Sequence, residues 1–373
     1  MSPLYGEPVT SDMSALGLIQ TFETWRRSGE RMVLATVYET AGSTYTKAGH
    51  RILISANADY QGLVSGGCLE GDLAERARAV SEANEPSPIT YDMRDEADDL
   101  WGLGVGCNGL IRVFLQPLLA EKGYEPFPEI AERLMASTPV IVATVIESGN
   151  GKIPAGTTLL WDGDGVDSQT LQGLVPGCRR AHETGRANFE TDMDGISVLY
   201  APLQPVRRLL VLGGGLDALP VVNMAAELGW RVTIADHRPA YLEKGVFSAA
   251  EQALLIDPAR MSCELDPSAF DAIIVMSHHL LTDQTYLAQL ADTEVSYIGV
   301  LGPRARRDRL LGALGSAGDA LRERLRGPVG IDIGADAPES IALSLLAEIH
   351  ATLAGRSGEG LTNKPYSRLE GDI

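Results

Sequence analysis

The stretch from Arg208 to Arg238 constrains the fold more than any other part of the chain. Leu209-Leu210-Val211-Leu212, entered through Arg208, is a short apolar run of the kind that forms a parallel strand buried on both faces. Gly213-Gly214-Gly215-Leu216-Asp217-Ala218 then reads G-x-G-x-x-A. In that pattern Gly213 makes the tight turn, Gly215 admits a pyrophosphate, and Ala218 is small enough for helix and strand to pack closely. A helix is expected at once over Leu219 to Leu228, with Gly229 as its stop, and Arg231-Val232-Thr233-Ile234-Ala235 reads as a second strand. That strand ends at Asp236, where a ribose-binding carboxylate is expected, about 20 residues beyond the first glycine. Strand, glycines, helix, strand and terminal acid in this order predict a Rossmann-like unit. Glycines that serve packing alone would leave the same trace, so the pattern names a fold before it names a ligand.

At 373 residues the chain is too long for one compact domain, and 45% apolar with 22% charged residues is ordinary for a soluble globular protein. A formal net charge of -19 repels phosphates and argues against a nucleic-acid partner. The chain has no apolar run of about 18 residues and no basic start leading into an apolar core. Neither a membrane span nor a secretion signal is therefore expected, and the cytoplasm is the expected location. Cys68, Cys107, Cys178 and Cys263 are too scattered for a disulfide framework. No C-x-x-C pair occurs and the six histidines lack metal-ligand spacing, so a zinc site is not expected.

The front half reads as two copies of one plan. Ser14 to Arg27 has the spacing of an amphipathic helix; Met32 to Tyr38 and Arg51 to Ser55 read as strands around the glycine loop Gly42 to Gly49. Asp72 to Ala83 reads as a helix ended by Pro86 and Pro88, and Leu110 to Leu115 as a strand. Beyond a linker from Glu121 to Pro128, Val142-Ala143-Thr144-Val145 echoes Leu34-Ala35-Thr36-Val37, and Gln172-Gly173-Leu174-Val175 echoes Gln61-Gly62-Leu63-Val64. Gly177-Cys178 falls where Gly67-Cys68 falls, and Ile196-Ser197-Val198 echoes Ile111-Arg112-Val113. Ordered matches favour duplication over the chance likeness of β-rich segments. The expected architecture is α/β: a mixed α/β front half over 14–205, with copies at 32–118 and 140–203, then a Rossmann-like doubly wound parallel sheet over 206–355 and a flexible tail over 356–373. Pro202 and Pro205 mark the boundary.

Only the first copy keeps the glycine-rich loops Ser65-Gly66-Gly67-Cys68-Leu69-Glu70-Gly71 and Gly102 to Gly109. Glycine loops let backbone amides approach an anion, which marks them as more than connectors. With Gly42-Ser43-Thr44-Tyr45 and Tyr91-Asp92, these motifs resemble the XdhC/CoxI family, accessory proteins that mature and insert the molybdenum cofactor of xanthine-dehydrogenase-type hydroxylases. The likeness continues through Met276-Ser277-His278, Tyr297-Ile298-Gly299-Val300-Leu301-Gly302-Pro303-Arg304 and Gly327 to Ala335, and covers roughly 14–355. Three positions depart from the family pattern: Tyr45-Thr46 in place of proline and arginine, His279 in place of an acid or amide, and Ser340 in place of a glutamate.

The resemblance implies a chaperone for molybdopterin or its dinucleotide form. Its partners would be an apo molybdenum hydroxylase and a cysteine desulfurase, and a homodimer stays open. Cys107, between glycines, is the candidate molybdenum contact, because a thiolate is a soft donor. Cys68 follows the same logic, with Gly66, Gly67 and Glu70 beside it to fix a polar head group. Ser43, Lys47 and Arg51 around the first glycine turn are candidate phosphate or pterin contacts. On the Rossmann half Gly213, Gly215 and Asp236 would bind a nucleotide, and His278 and Arg304 stand at strand ends, which face the ligand crevice in such folds. Arg306, Arg307 and Arg309 are expected on a solvated helix face. An oxidoreductase using NAD(P) on the Rossmann half, or a nucleotide-binding scaffold, is the alternative.

Overall fold

The computed structural model describes residue 9 and residues 12–94, 109–149, 151, 153–166 and 168–363. Cys107, with the rest of its glycine loop before Gly109, lies outside the described residues, as does the expected tail from residue 364 onward. The chain divides between Val206 and Arg207 into two compact units.

In the front unit, α1 (Ala15–Ser28) opens on Ser14, whose hydroxyl accepts from the Gly17 amide, and stops at the left-handed Gly29. The strands β1 (Met32–Gly42), β2 (Arg51–Ser55) and β3 (Tyr60–Gln61) precede α2 (Glu70–Ala83), β4 (Ser87–Asp92) and β5 (Gly109–Leu118). They form an antiparallel sheet in the order β3-β2-β1-β5-β4. The strand β4 went unread in the sequence because Pro86 and Pro88 look like breakers. It is an edge strand, where a missing amide hydrogen costs nothing. After α3 (Phe127–Met135) come β6 (Val140–Ser148), β7 (Thr158–Trp161), α4 (Gln169–Gln172), α5 (Val175–Thr184), β8 (Asn188–Thr191) and β9 (Ile196–Leu203). Their sheet runs β7-β6-β9-β8.

The two sheets share irregularities as well as order. The β1–β5 register slips between Val37 and Glu39, and the β6–β9 register slips between Val145 and Glu147. Val37 donates to the His50 carbonyl and accepts from Gly49; Val145 does the same with Thr157 and Gly156. The sheets pack face to face, with Leu34 and Leu53 against Val142, Leu160 and Leu203. Contacts across this face are reciprocal. Gly49 lies against Ala201, and Gly156 accepts a hydrogen bond of 2.9 Å from Gln116, where Ala201 and Gln116 hold matching register positions opposite Val142 and Leu34. The helix α2 covers the outer face of the first sheet through Leu73 and Ala77, and α5 that of the second through Cys178 and Ala181.

One echo does not survive. Leu69 and Leu174 are the residues that precede α2 and α5, and their carbonyls accept from Leu73 and Cys178 respectively. Buried Cys178 therefore matches buried Leu73, not Cys68. Likewise Gln61 ends β3 and Gly62 is left-handed, whereas Gln172 ends α4 and Gly173 is right-handed. The repeated four letters take different conformations because the second copy has lost the loop between them and its helix.

The second unit alternates strands and helices: β10 (Arg208–Leu212), α6 (Ala218–Glu227), β11 (Arg231–Asp236), α7 (Pro239–Gly245), β12 (Gln252–Leu255), α8 (Met261–Glu264), β13 (Ala272–Val275) and α9 (Leu280–Leu290). It continues with β14 (Tyr297–Val300), α10 (Arg304–Leu314), α11 (Ser316–Leu321), β15 (Leu325–Arg326) and α12 (Pro338–Leu353). All six strands are parallel in the order β12-β11-β10-β13-β14-β15. This is the doubly wound arrangement in which β10 and β13 flank the reversal of strand order, where ligands bind in such folds. Val211 and Ile274 face α6 and α12 through Val222 and Leu345, while Leu210 and Ile273 face α9 and α10 through Tyr286 and Leu310. Among the described residues no helix is long and apolar enough to cross a membrane.

Candidate functional site

Two loops hold most of the residues singled out in the sequence, one in each unit. In the front unit, the turn over 62–69 is built around the Glu70 carboxylate. Its Oε1 accepts from the amides of Val64 at 2.7 Å and Ser65 at 2.8 Å; its Oε2 accepts from Ser65 Oγ at 2.8 Å and from the amides of Gly67 at 2.9 Å and Leu69 at 3.2 Å. Burial alone would push this carboxyl up, but the hydrogen bonds from Ser65 and Val64 outweigh it and hold the group below its ordinary value. Glu70 is thus no free head-group ligand. It is the internal anion that shapes a loop whose Gly66 and Gly67 both take positive φ, 76° and 108°, conformations open to glycine. The product of this shape is an exposed Cys68.

The β1–β2 loop seats beside it. Thr46 donates to the Val64 carbonyl at 2.9 Å, which accounts for a buried threonine where the family pattern has a charge, and the exposed Tyr45 ring lies nearest to Gly66. A side chain at Gly109 would collide with Ser43 and Thr44, so β5 begins directly against this loop. Ser43 and Lys47 are exposed. Arg51 is not beside them: it is half-buried, donates to the Gly49 carbonyl at 3.1 Å, and sits on the β2 face shared with Leu53 that meets the second sheet. The strand's alternation put it inside, a fact a loop-based reading misses. Burial also pushes the His50 imidazole down, keeping it neutral beneath the Cys68 loop. Cys178 is buried in α5, its thiol pushed up to about 12 by burial, and so unsuited to act as a thiolate.

In the second unit the ends of β10, β11 and β13 converge. Asp236 has 0% exposure and accepts from the Gly214 amide at 2.7 Å. It also binds the Arg238 guanidinium through both oxygens, at 2.9 and 2.8 Å, and the Arg238 amide at 2.8 Å. Burial would raise its pKa, yet Arg238 and these amides hold it down. The acid expected to hold a ribose is occupied, and Arg238, stacked 3.6 Å from the Tyr241 ring centroid, is the residue that faces outward instead. A charged residue two positions past the strand-ending acid was the overlooked signal.

At the end of β13, Ser277 binds buried Asp283, which also pairs with Arg306 at 2.7 Å. Arg306 therefore leaves the solvated face on which it was expected, and so does Arg307, which donates to the carbonyls of Leu325 and Arg322. Arg304 and Arg309 are exposed. His278 takes a left-handed φ of 61°, at a cost of about 1–2 kcal/mol for a non-glycine residue, and its Nε2 lies 2.7 Å from Asp217 Oδ2. That hydrogen bond raises the His278 pKa against the opposing effect of burial. His279 turns the other way and caps α9, its Nδ1 accepting from the Thr282 amide, the task of an acid or amide at that position. Ser340 in turn accepts the Ala337 amide at 2.9 Å, as a glutamate at the third position of a helix would. Among the described residues no cluster of three His, Cys, Asp or Glu could hold a metal ion.

Comparison with known proteins places these loops. The model described as XdhC Rossmann domain matches residues 209–349, and that described as XdhC and CoxI family matches residues 25–92. A Bacillus subtilis protein described as a probable xanthine dehydrogenase component is 33% identical over 87% of this chain and 93% of its own length. The chain belongs to the XdhC and CoxI family. A second XdhC-type relative, "Molybdenum cofactor insertion chaperone PaoD" of Escherichia coli, is 24% identical over 86% of this chain and 83% of its own. A crystal structure described as a xanthine dehydrogenase from Bacillus halodurans superposes with a TM-score of 0.69 at 27% identity, covering 94% of this chain and 99% of that one. The departures from the XdhC pattern at Thr46, His279 and Ser340 all have local structural replacements, so they alter how loops are held and leave the XdhC fold intact.

Proposed function

We propose that this XdhC-family protein is a molybdenum cofactor chaperone: it holds a molybdopterin-type cofactor as cargo, keeps it shielded while a cysteine desulfurase supplies its terminal sulfur, and delivers it to an apo molybdenum hydroxylase. The observation that carries the reading is Cys68, an exposed thiol on a loop whose shape is fixed from inside by Glu70. A soft sulfur donor held on a preorganised loop suits a molybdenum centre or its sulfur ligand. The similarity to a protein described as a cofactor insertion chaperone supports it. Cys107 is the second candidate donor, and Ser43 and Lys47 supply polar and cationic groups on the neighbouring loop.

The test is retention of cofactor by purified Cys68→Ser and Cys107→Ser proteins, with Cys178→Ser as the control. The expected result is at least a tenfold loss of bound pterin and of hydroxylase activation for Cys68→Ser, with Cys178→Ser at the level of the parent (about 1.4 kcal/mol per tenfold). Full retention by both folded loop variants contradicts the reading. The NAD(P) alternative keeps the Gly213–Ala218 loop and the strand order in its favour, but the engagement of Asp236 by Arg238 removes its ribose ligand.

A further inference from the structure

The Gly213–Ala218 loop carries an acid where its pattern calls for a ligand. The missing side chain at Gly215 is what lets a pyrophosphate come close in such loops. Here a Cβ at Gly215 would run into Asp217 Oδ1, so the chain's own carboxylate fills that space. Asp217 does not cap the helix it opens, since its side chain accepts no amide of α6. Its other oxygen lies 2.7 Å from His278 Nε2, and His278 adopts its left-handed backbone at the place where it makes this contact. Next to it, Asp236 takes the Gly214 amide. Two of the loop's approaches to an anion are thus held by carboxylates, one of them on the ligand side.

We propose that Asp217, held over Gly215 by His278, is a charge filter that keeps free nucleoside diphosphates and dinucleotides out of the Rossmann crevice. A phosphate reaches the Gly215 backbone only when Asp217 turns away, and until then it meets a carboxylate at contact distance. Without the acid, this backbone would take whichever dinucleotide is most abundant, by mass action. The filter gives a Rossmann unit a reason to keep its glycines while rejecting common nucleotides. The inference concerns the crevice alone and does not depend on which unit holds the molybdenum cofactor.

The experiment is equilibrium binding of ADP, without magnesium, to the full chain and to Asp217→Asn and Asp217→Ser, two variants so that a folding failure of one leaves the other. Asp319→Asn, which removes an exposed acid on α11, controls for net charge. Both Asp217 variants should bind ADP at least tenfold more tightly than the parent, and Asp319→Asn should equal the parent. Asp217 variants that bind no more tightly than the parent, including no binding by any protein, overturn the filter. Equal tightening by Asp319→Asn overturns it too, because the effect would then be that of overall charge.

Discussion

Replacing Glu70 by glutamine keeps its size but turns one acceptor oxygen into an amide group that faces amide donors. Five hydrogen bonds converge on the native carboxylate, from the amides of Val64, Ser65, Gly67 and Leu69 and the Ser65 hydroxyl. Leaving a buried donor unsatisfied costs about 1–3 kcal/mol, so Glu70→Gln should lower stability by about that amount, read as a shift in urea midpoint at pH 7. An unchanged midpoint would mean the loop is not held this way. The native group has a depressed pKa, so its contribution is present above the ordinary carboxylate value near ~4.3 and lost as pH falls. The variant should show less acid sensitivity than the parent. His278 has the opposite sign. Its pKa is raised, chiefly by Asp217, so its small contribution is present below the ordinary histidine value near ~6.5 and is lost as pH rises through the raised value. Proton NMR should find His278 titrating above that value and Asp217→Asn bringing it down; no difference between the two would refute the pairing. At this scale the sequence marked His278 and Cys68 through their loops, but not Asp217, Arg238 or Asp283. Those depend on contacts between strand ends distant in sequence, which spacing does not encode.

Elements were legible wherever one period dominated. The strands of the second unit are short apolar runs followed by helices, and that alternation implies a parallel sheet. The front unit was harder, because β4 begins at prolines and the Gln-Gly-Leu-Val motif serves a strand end in one place and a helix start in the other. Local sequence did not decide between them; the length of loop before the following helix did. The helix α5 offers a test of how tightly the second sheet is packed. Gly177→Ala should gain up to about 1 kcal/mol in helix propensity. The new Cβ, however, would fall within the ring of buried Tyr200, and overpacking costs about 1–3 kcal/mol, so a net loss of thermal stability is expected. A stabilised Gly177→Ala would show that Tyr200 is free to move and that this face is loosely packed.

For the whole molecule, fold class and family could be read because motifs of both units occur in one chain. A glycine fingerprint alone specifies only a Rossmann unit. The sheet-to-sheet packing of the front unit could not be read, since the reciprocal contacts of Gly49 with Ala201 and of Gly156 with Gln116 join residues far apart in sequence. The net charge of -19 says what the surface repels and nothing about what the loops hold. The central claim, that the cargo is a molybdenum cofactor, is tested most directly by mass analysis of the small molecules released on denaturing protein purified from cells able and unable to make molybdopterin. The account predicts a pterin in stoichiometric amounts from competent cells, and none from deficient ones. NAD(P) released from both preparations, with no pterin in either, would contradict it.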